Sequence, residues 1–158
     1  MMGTKIRALV MDVDGTLTDG KIYMGADGEI MKVFDIKDGY AIAKLYHVGI
    51  TPIIMTGRKS AILEKRCKEL NISEVYQGIS EKAELLHTVL ARLGITAAEV
   101  AYIGDDLNDL ECMRMCGLRA CPYDAVDEIR SVVDLVCTQK GGSGAVREFI
   151  EYIQNRYI

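Results

Sequence analysis

The sequence predicts an α/β protein built on a doubly wound, mostly parallel β-sheet with helices on both faces. Short apolar runs of strand length alternate along the chain with longer segments in which apolar residues recur at helical spacing. Several of the apolar runs are continuous, which is typical of strands that are buried on both faces. Strands and helices in this alternating order favour parallel strands joined by crossover helices.

The strands are predicted from apolar runs that end at turn residues. The first run covers residues 6–13 and is broken only by Arg7 and Asp12. Further strands are predicted at residues 50–55, 74–76, 100–103 and 118–121, with an edge strand at 134–137. The intervening helices are predicted from capping residues and apolar stripes: one opened by Asp38, one capped by Ser60, one capped by Ser80, and two at residues 106–115 and 145–157.

A β-hairpin is predicted at about residues 21–34, inserted directly after the first strand. Two short β-prone runs, at 21–25 and 29–34, flank Ala26-Asp27-Gly28. An Asp-Gly pair between two such runs indicates a hairpin. Because an isolated hairpin is only marginally stable in water, we expect it to pair with a neighbouring subunit, with a solvated flap as the alternative.

Composition limits the classes of function. The 158 residues are expected to form one domain, 1–158, with a glycine-rich tail and last helix at about 138–158. A net charge of −4 without a basic stripe argues against nucleic-acid binding. No apolar run approaches the ~20 residues that a membrane span needs. Residues 1–7 do not resemble a signal peptide, so a cytoplasmic protein is expected.

The five cysteines do not form a paired framework. Cys112 and Cys116 are the nearest pair, and no histidine or second cysteine pair accompanies them. This arrangement lacks the usual ligand spacing of a zinc site. We therefore expect reduced, buried thiols, as in cytosolic proteins.

Two aspartates define the predicted active site. Asp12 and Asp14 lie at the carboxyl end of the first strand and are followed by Gly15 and Thr16. Ligands of open α/β sheets bind outside this edge. Two neighbouring carboxylates that lose hydration stay ionised only beside a cation, and their oxygen ligands suit Mg2+. Asp-Gly also begins turns, but Asp12 falls inside the apolar run, where no turn is needed.

Polar residues also follow other strands of the predicted sheet. Thr56 follows the second buried strand, Lys82 begins a helix, and Asp105 follows the fourth strand together with Asp106 and Asp109. Carboxylates, a hydroxyl and an ammonium at one sheet edge suit phosphoryl transfer through a carboxylate nucleophile. Lys82 by itself would be interpreted as a solvated lysine. A cation is unfavourable at a helix N-terminus, however, and this placement indicates a nearby anion.

The order and spacing of these motifs resemble the haloacid dehalogenase superfamily. Four motifs carry the resemblance, which covers nearly the whole chain: Asp12-Val13-Asp14-Gly15-Thr16, Thr56-Gly57, Lys82 and Gly104-Asp105-Asp106. The resemblance implies that Asp12 attacks phosphorus and becomes an aspartyl phosphate. It also implies that Asp14 protonates the leaving group and then activates water.

The resemblance further implies a set of binding groups. Three residues are expected to hold Mg2+: Asp12, Asp14 and Asp105. Asp14 is expected to do so through its backbone carbonyl. Two are expected to bind the phosphoryl group: Thr56 and Lys82. Two more are expected to orient these groups without touching the metal: Asp106 and Asp109.

Features outside the four motifs indicate which family of the superfamily the chain resembles. The chain has no segment long enough for a lid domain, and it carries the inserted hairpin, Phe34-Asp35-Ile36-Lys37-Asp38-Gly39 and a glycine-rich segment at 141–148. It is similar to the capless family of phosphatases that act on 3-deoxy-D-manno-octulosonate 8-phosphate. This similarity implies a homotetramer with a central barrel of hairpins, a site enclosed by a neighbouring subunit and the tail, and a role in lipopolysaccharide biosynthesis.

Three alternatives stay open from the sequence. Sister enzymes that act on nine-carbon 9-phosphates, of 3-deoxy-nonulosonate or N-acylneuraminate, share the core and the hairpin. A phosphoacceptor receiver uses similar residues, but its phosphorylated aspartate ends a mid-chain strand, where this sequence has Met55 and Thr56. An inactive or regulatory domain of the same fold is the third, and the intact pair of Asp12 and Asp14 weighs against it.

The expected substrate carries a carboxylate as well as a phosphate, so the site needs a further cation. Arg58, which follows Gly57 in the loop after the second buried strand, is the candidate, with a surface arginine as the alternative. Arg147 could serve from the glycine-rich tail or pair with an acid of its own helix. Asp38 could bind sugar hydroxyls or only cap its helix.

Overall fold

A parallel sheet and a separate hairpin contain all the strands of the computed structural model, which describes residues 4–158. Residues 1–3, part of the N-terminal segment considered above, lie outside the described residues. The strands are β1 (Ala8–Met11), β2 (Tyr23–Gly25), β3 (Gly28–Met31), β4 (Thr51–Met55), β5 (Glu74–Tyr76), β6 (Val100–Ile103), β7 (Leu118–Cys121) and β8 (Leu135–Val136).

The main sheet has six strands in the order β5-β4-β1-β6-β7-β8. Each neighbouring pair runs parallel, which confirms the predicted fold class. The chain winds outward from β1 in one direction through β4 and in the other through β6. The carboxyl end of β1 therefore lies at the switch point where ligands of such sheets bind.

Six α-helices connect the strands. They are α1 (Ile36–Lys44), α2 (Ala61–Glu69), α3 (Lys82–Leu93), α4 (Leu110–Met115), α5 (Asp127–Arg130) and α6 (Ala145–Arg156). Short 3-10 helices cover Leu45–Val48, Ala97–Glu99 and Leu107–Asp109. Within residues 4–158 no lid domain covers the carboxyl edge of the sheet, as expected. Across the same residues no helix has both the length and the apolar character needed to cross a membrane.

The core lies on both faces of the sheet. Leu9 and Met11 of β1 belong to a cluster with buried residues of α1, α2 and α6. Ala8 and Val10 of the same strand belong to a second cluster with α3, α4 and α5. Because both faces are covered, the strand is continuously apolar until it reaches the polar residues at its end.

The hairpin predicted after β1 is confirmed. β2 and β3 pair antiparallel, with Tyr23 opposite Met31 and Gly25 opposite Gly28, so the strands are shorter than predicted. The hairpin and its flanks expose large apolar side chains: Ile22, Met24, Ile30, Met31 and Val33. Large apolar side chains exposed together on one short segment are typical of a protein–protein contact.

Two predicted helix caps are wrong. Helix α1 begins at Ile36, and its N-cap is Asp35, whose side chain accepts hydrogen bonds from the backbone N–H groups of Lys37 and Asp38. Asp35 satisfies two otherwise free donors, so the helix starts earlier than predicted and Asp38 lies inside its first turn. Likewise, α3 is preceded by Glu81 rather than capped by Ser80.

The other capping prediction and the predicted state of the cysteines are confirmed. The hydroxyl of Ser60 accepts a hydrogen bond from the backbone N–H of Leu63 at 3.2 Å, so it caps α2. The cysteines are free and buried: Cys67, Cys112, Cys116, Cys121 and Cys137.

The last helix is part of the core rather than a loose tail. Helix α6 buries five residues against the sheet: Ala145, Val146, Phe149, Ile150 and Ile153. The glycine-rich segment before it packs against the loop that follows β1. The backbone N–H of Gly142 donates to the carbonyl of Thr16 at 3.1 Å, and that of Gly141 donates to the Asp124 carboxylate at 2.9 Å.

Glycine is required at position 141 by this packing. A Cβ there would collide with the backbone carbonyl of Gly15 and would lie 2.9 Å from that of Thr18. Both carbonyls belong to the loop that carries the predicted catalytic residues. The glycine-rich segment thus supports that loop directly.

We expect Gly141→Ala to lower the free energy of unfolding by about 1–3 kcal/mol, as overpacking does elsewhere. Urea denaturation measures the change. Gly57→Ala is the matched control, because a Cβ there meets the Ile79 carbonyl at 3.7 Å, an ordinary contact. Equal denaturation midpoints for the two variants would contradict the packing argument.

Candidate active site

The carboxyl ends of β1, β4 and β6 meet at an open cleft of about 390 Å³. Eight residues line it: Asp12, Asp14, Thr56, Gly57, Arg58, Asp105, Asp106 and Asn108. Seven of these were predicted site residues, and parallel pairing of the three strands brings them together. Asn108 was not predicted, because nothing in its sequence context distinguishes it from a loop residue.

Lys82 lies buried beside this cleft. Its Nζ donates hydrogen bonds to Asp12 Oδ1 at 2.9 Å and to Asp109 Oδ1 at 2.8 Å. The hydroxyl of Tyr102 donates to the same oxygen of Asp109 at 2.7 Å. Burial lowers the pKa of Lys82, but Asp109 and Asp12 outweigh this effect and hold the pKa above its ordinary value. The ammonium is therefore positively charged and fixes the Asp12 carboxylate.

Three carboxylates form a cluster that fits a metal ion. Asp12, Asp105 and Asp109 each offer an oxygen within 4.8 Å of the others. Burial and the charge of Asp109 raise the pKa of Asp12 to about 6, against the opposing effect of Lys82. Burial and the charge of Asp12 raise the pKa of Asp105 to about 8. A hard divalent cation such as Mg2+ would stabilise the ionised forms of these groups.

Asp109 anchors this cluster from the protein interior. It is fully buried, and its second oxygen accepts a hydrogen bond from the backbone N–H of Asp105 at 3.2 Å. Thr16 donates its hydroxyl to Asp105 Oδ1 at 3.2 Å. Asp105 is thus oriented from two sides, while the exposed Asp106 accepts from the backbone N–H of Leu107 and begins the following 3-10 helix.

Thr56 and Arg58 form another wall of the cleft. Thr56 is buried at the end of β4, and its backbone bonds to Tyr76 at 3.0 Å and to Ile79 at 3.1 Å tie the loop to the segment of β5. Arg58 follows on the exposed part of the same loop. A buried threonine on an anchored backbone and an exposed arginine therefore share one wall.

Asp38 and Arg147 are not among the residues that line the cleft. Asp38 is 1% exposed, and its Oδ1 accepts the backbone N–H of Arg147 at 2.9 Å. Burial raises the pKa of this carboxyl to about 6. The Arg147 side chain pairs with Glu151 at 2.5 Å and lies 5.7 Å from the Tyr40 ring centroid. Within one chain, these residues join α1 to α6.

Lys32 is a site residue that sequence reasoning missed. It follows β3 of the hairpin, and its Nζ donates to Asp14 Oδ1 at 2.6 Å and lies 2.9 Å from Glu29 Oε1. Burial lowers the pKa of Lys32, but hydrogen bonds to the two carboxylates outweigh this effect and raise it. The one sequence signal is a lysine between the apolar residues Met31 and Val33, and it does not reveal which carboxylate the lysine meets.

Comparison with known proteins identifies relatives of this chain. The model of the haloacid dehalogenase-like hydrolase family matches residues 68–150, more than half of the chain. The 3-deoxy-D-manno-octulosonate 8-phosphate phosphatase KdsC of Yersinia pestis is 44% identical over 148 residues, which cover 94% of this chain and 79% of that protein.

Two solved structures are similar to this chain over nearly its whole length. One is the 3-deoxy-D-manno-octulosonate 8-phosphate phosphatase of Moraxella catarrhalis in complex with magnesium, phosphate and KDO, at 40% identity and a TM-score of 0.92, covering 96% of this chain and 87% of that one. The other is the cobalt-bound phosphatase of Haemophilus influenzae, at 36% identity and a TM-score of 0.94, covering 97% and 90%. The chain belongs to the haloacid dehalogenase-like hydrolase family, the superfamily that its four motifs resemble.

Proposed function

We propose that this chain is a Mg2+-dependent phosphoric monoester hydrolase that converts 3-deoxy-D-manno-octulosonate 8-phosphate into the free sugar acid and phosphate. The observation that carries the proposal is the buried Asp12 carboxylate, which is held by Lys82 at the cleft and lies beside the carboxylates of Asp105 and Asp109. Relatives at 43–44% identity are named for this reaction, and one similar structure holds magnesium, phosphate and KDO.

Asp12 is the proposed nucleophile. Lys82 binds its Oδ1, so the second carboxylate oxygen is available to attack phosphorus. The new bond forms as the bond from phosphorus to the sugar oxygen breaks, which yields an aspartyl phosphate. Thr56 and Lys82 stabilise the charge on the phosphoryl oxygens as it redistributes.

Asp14 is the proposed acid and base. It lines the same cleft as Asp12 and follows it by two residues. In the first step it donates a proton to the departing sugar oxygen. In the second step it takes a proton from the water that attacks the aspartyl phosphate, and phosphate and free Asp12 result.

Bound Mg2+ would offset negative charge so that an anionic nucleophile can approach an anionic phosphate. Asp12, the backbone carbonyl of Asp14 and Asp105 are the proposed ligands. Asp109 supports Asp105 by accepting a hydrogen bond from the Asp105 backbone N–H. Asp106 begins the next helix at the rim of the cleft, which suits an orienting role.

Arg58 is the proposed partner of the substrate's carboxylate, because a guanidinium can bind a carboxylate through two parallel hydrogen bonds. It lines the cleft together with Gly57, beyond the proposed phosphate-binding Thr56. Asp38 is buried and Arg147 pairs with Glu151, so neither is part of the substrate site that we propose within one chain. Arg147 remains a proposed contribution to a neighbouring site.

We also propose that four copies assemble through their hairpins and that the chain works as one catalytic domain in the cytoplasm. The exposed apolar residues of the hairpin, among them Met24 and Ile30, support the assembly. With no lid in residues 4–158, the cleft stays open to solvent within one chain. A neighbouring subunit would close it, and the sugar acid formed would enter lipopolysaccharide biosynthesis.

We expect kcat/KM with Mg2+ to be about a hundredfold higher for the eight-carbon 8-phosphate than for a nine-carbon 9-phosphate, roughly 2.7 kcal/mol of transition-state discrimination. The reverse substrate preference would assign the enzyme to nine-carbon substrates and refute the octulosonate proposal.

Arg58→Met should lower kcat/KM for the sugar acid phosphate, whereas Lys59→Met, which removes a neighbouring exposed cation, should not.

We expect Mg2+ to stabilise the fold through the carboxylate cluster. Without metal, the folded state binds protons on Asp12 and Asp105 more tightly than the unfolded chain does, because their pKa values rise from 3.8 to about 6 and about 8. The free energy of unfolding should therefore fall as the pH rises from 3.8 to about 8. At about 100 times its Kd, Mg2+ should restore about 2.7 kcal/mol, a rise in Tm of about 5–10 °C.

Asp105→Asn is the matched variant for this measurement. It keeps an oxygen for the Thr16 hydroxyl but removes one charge from the cluster. We expect it to be more stable than the parent chain in EDTA at pH 8 and to lose most of its response to Mg2+. A response to Mg2+ as large as that of the parent chain would show that the ion binds elsewhere.

A further inference from the structure

The hairpin is tied to the core by two polar contacts beside the cleft. Lys32 donates to Asp14 Oδ1 at 2.6 Å. Glu29, 2.9 Å from the same lysine, accepts the hydroxyl of Ser60 at 2.5 Å. Ser60 also caps α2 through the N–H of Leu63. A chain of contacts therefore runs from the start of α2 through the hairpin to Asp14.

Lys32 has a buried side chain, whereas the residues on either side of it in the hairpin arm are exposed. Its side chain is 4% exposed, whereas Met31 and Val33 are 45% and 49% exposed. Alternate residues of an extended segment face opposite sides. The hairpin arm thus exposes apolar side chains on either side of Lys32 and delivers the lysine's charged group to the site.

The contact between Lys32 and Asp14 affects how well Asp14 can transfer a proton. A carboxylate transfers protons efficiently only when it is held in reach of the reacting oxygen. Lys32 binds Asp14 Oδ1 and is itself fixed by Glu29, while Asp14 remains at the cleft surface with 20% of its side chain exposed. This arrangement restricts rotation of the carboxylate and leaves its other oxygen for the substrate.

We propose that Lys32 is a positioning residue, which holds Asp14 in the orientation needed to protonate the leaving group. The proposal rests on the proposed acid–base role of Asp14. Lys32 acts through Asp14 and does not itself touch the reacting atoms. It also makes the hairpin part of the active site, since any displacement of the hairpin moves this lysine.

A series of aryl phosphates tests the proposal without the sugar acid. We expect Lys32→Met to slow release of phenol from phenyl phosphate about tenfold or more, since a poor leaving group needs the acid. Release of 4-nitrophenol from 4-nitrophenyl phosphate should change less than about twofold, since this leaving group departs without a proton. Rates are measured in single turnovers with enzyme in excess, which report leaving-group departure and not the later hydrolysis of the aspartyl phosphate.

Two further variants separate positioning from a general loss of structure. Lys21→Met removes an exposed lysine from the other arm of the hairpin and should leave both rates unchanged. In an Asp14→Asn background, Lys32→Met should slow phenyl phosphate no further, because the group it positions is already absent. Lys32→Arg, which keeps a cation beside Asp14 and Glu29, should recover part of the rate with phenyl phosphate.

Equal slowing of both aryl phosphates by Lys32→Met would overturn the proposal, and so would no slowing of either. Additive effects of Lys32→Met and Asp14→Asn would overturn it as well. If the leaving-group effect is found but the parent enzyme does not hydrolyse the octulosonate 8-phosphate, the role of Lys32 stands and the proposed substrate fails. The two proposals therefore fail in distinguishable ways.

Discussion

The balance of buried charge at the carboxyl end of β1 is the constraint on which the rest of the site depends. Four carboxylates meet there, those of Asp12, Asp14, Asp105 and Asp109, and two ammonium groups, of Lys82 and Lys32, contact them. Buried charges are tolerated only when they are paired. The carboxylates outnumber the ammonium groups, so the same imbalance that destabilises the metal-free fold would create affinity for Mg2+.

This charge cluster is held in place by groups far apart in the sequence. Tyr102 and Lys82 fix Asp109, which in turn fixes Asp105 through its backbone. The Gly141-Gly142 segment packs on the loop after β1 at a distance that only glycine permits at position 141. Helix α6, buried against the sheet, anchors that segment. The precision of the site is therefore a property of the whole fold.

The sequence predicts those parts of the site that follow directly from strand ends. Asp12, Thr56 and Asp105 each come just after a buried strand, and parallel pairing is enough to bring them together. It does not predict the contact of Lys32 with Asp14, because the path of an inserted hairpin depends on tertiary contacts. It misplaces the cap of α1 for a similar reason, since Asp35 and Asp38 are both good caps by residue type. Only in the folded chain does the hydrogen bond that Asp38 accepts from the Arg147 backbone N–H distinguish them.

The central claim is that Asp12 forms a covalent bond with phosphorus, and trapping that intermediate tests it most directly. Enzyme mixed with substrate and Mg2+ is quenched in acid within milliseconds, reduced with borohydride and digested, and the peptide containing Asp12 is analysed by mass spectrometry. The account predicts homoserine at position 12, formed by reduction of the aspartyl phosphate, and none without substrate. An unmodified Asp12 with reduction at another carboxylate, such as Asp14 or Asp105, would contradict it.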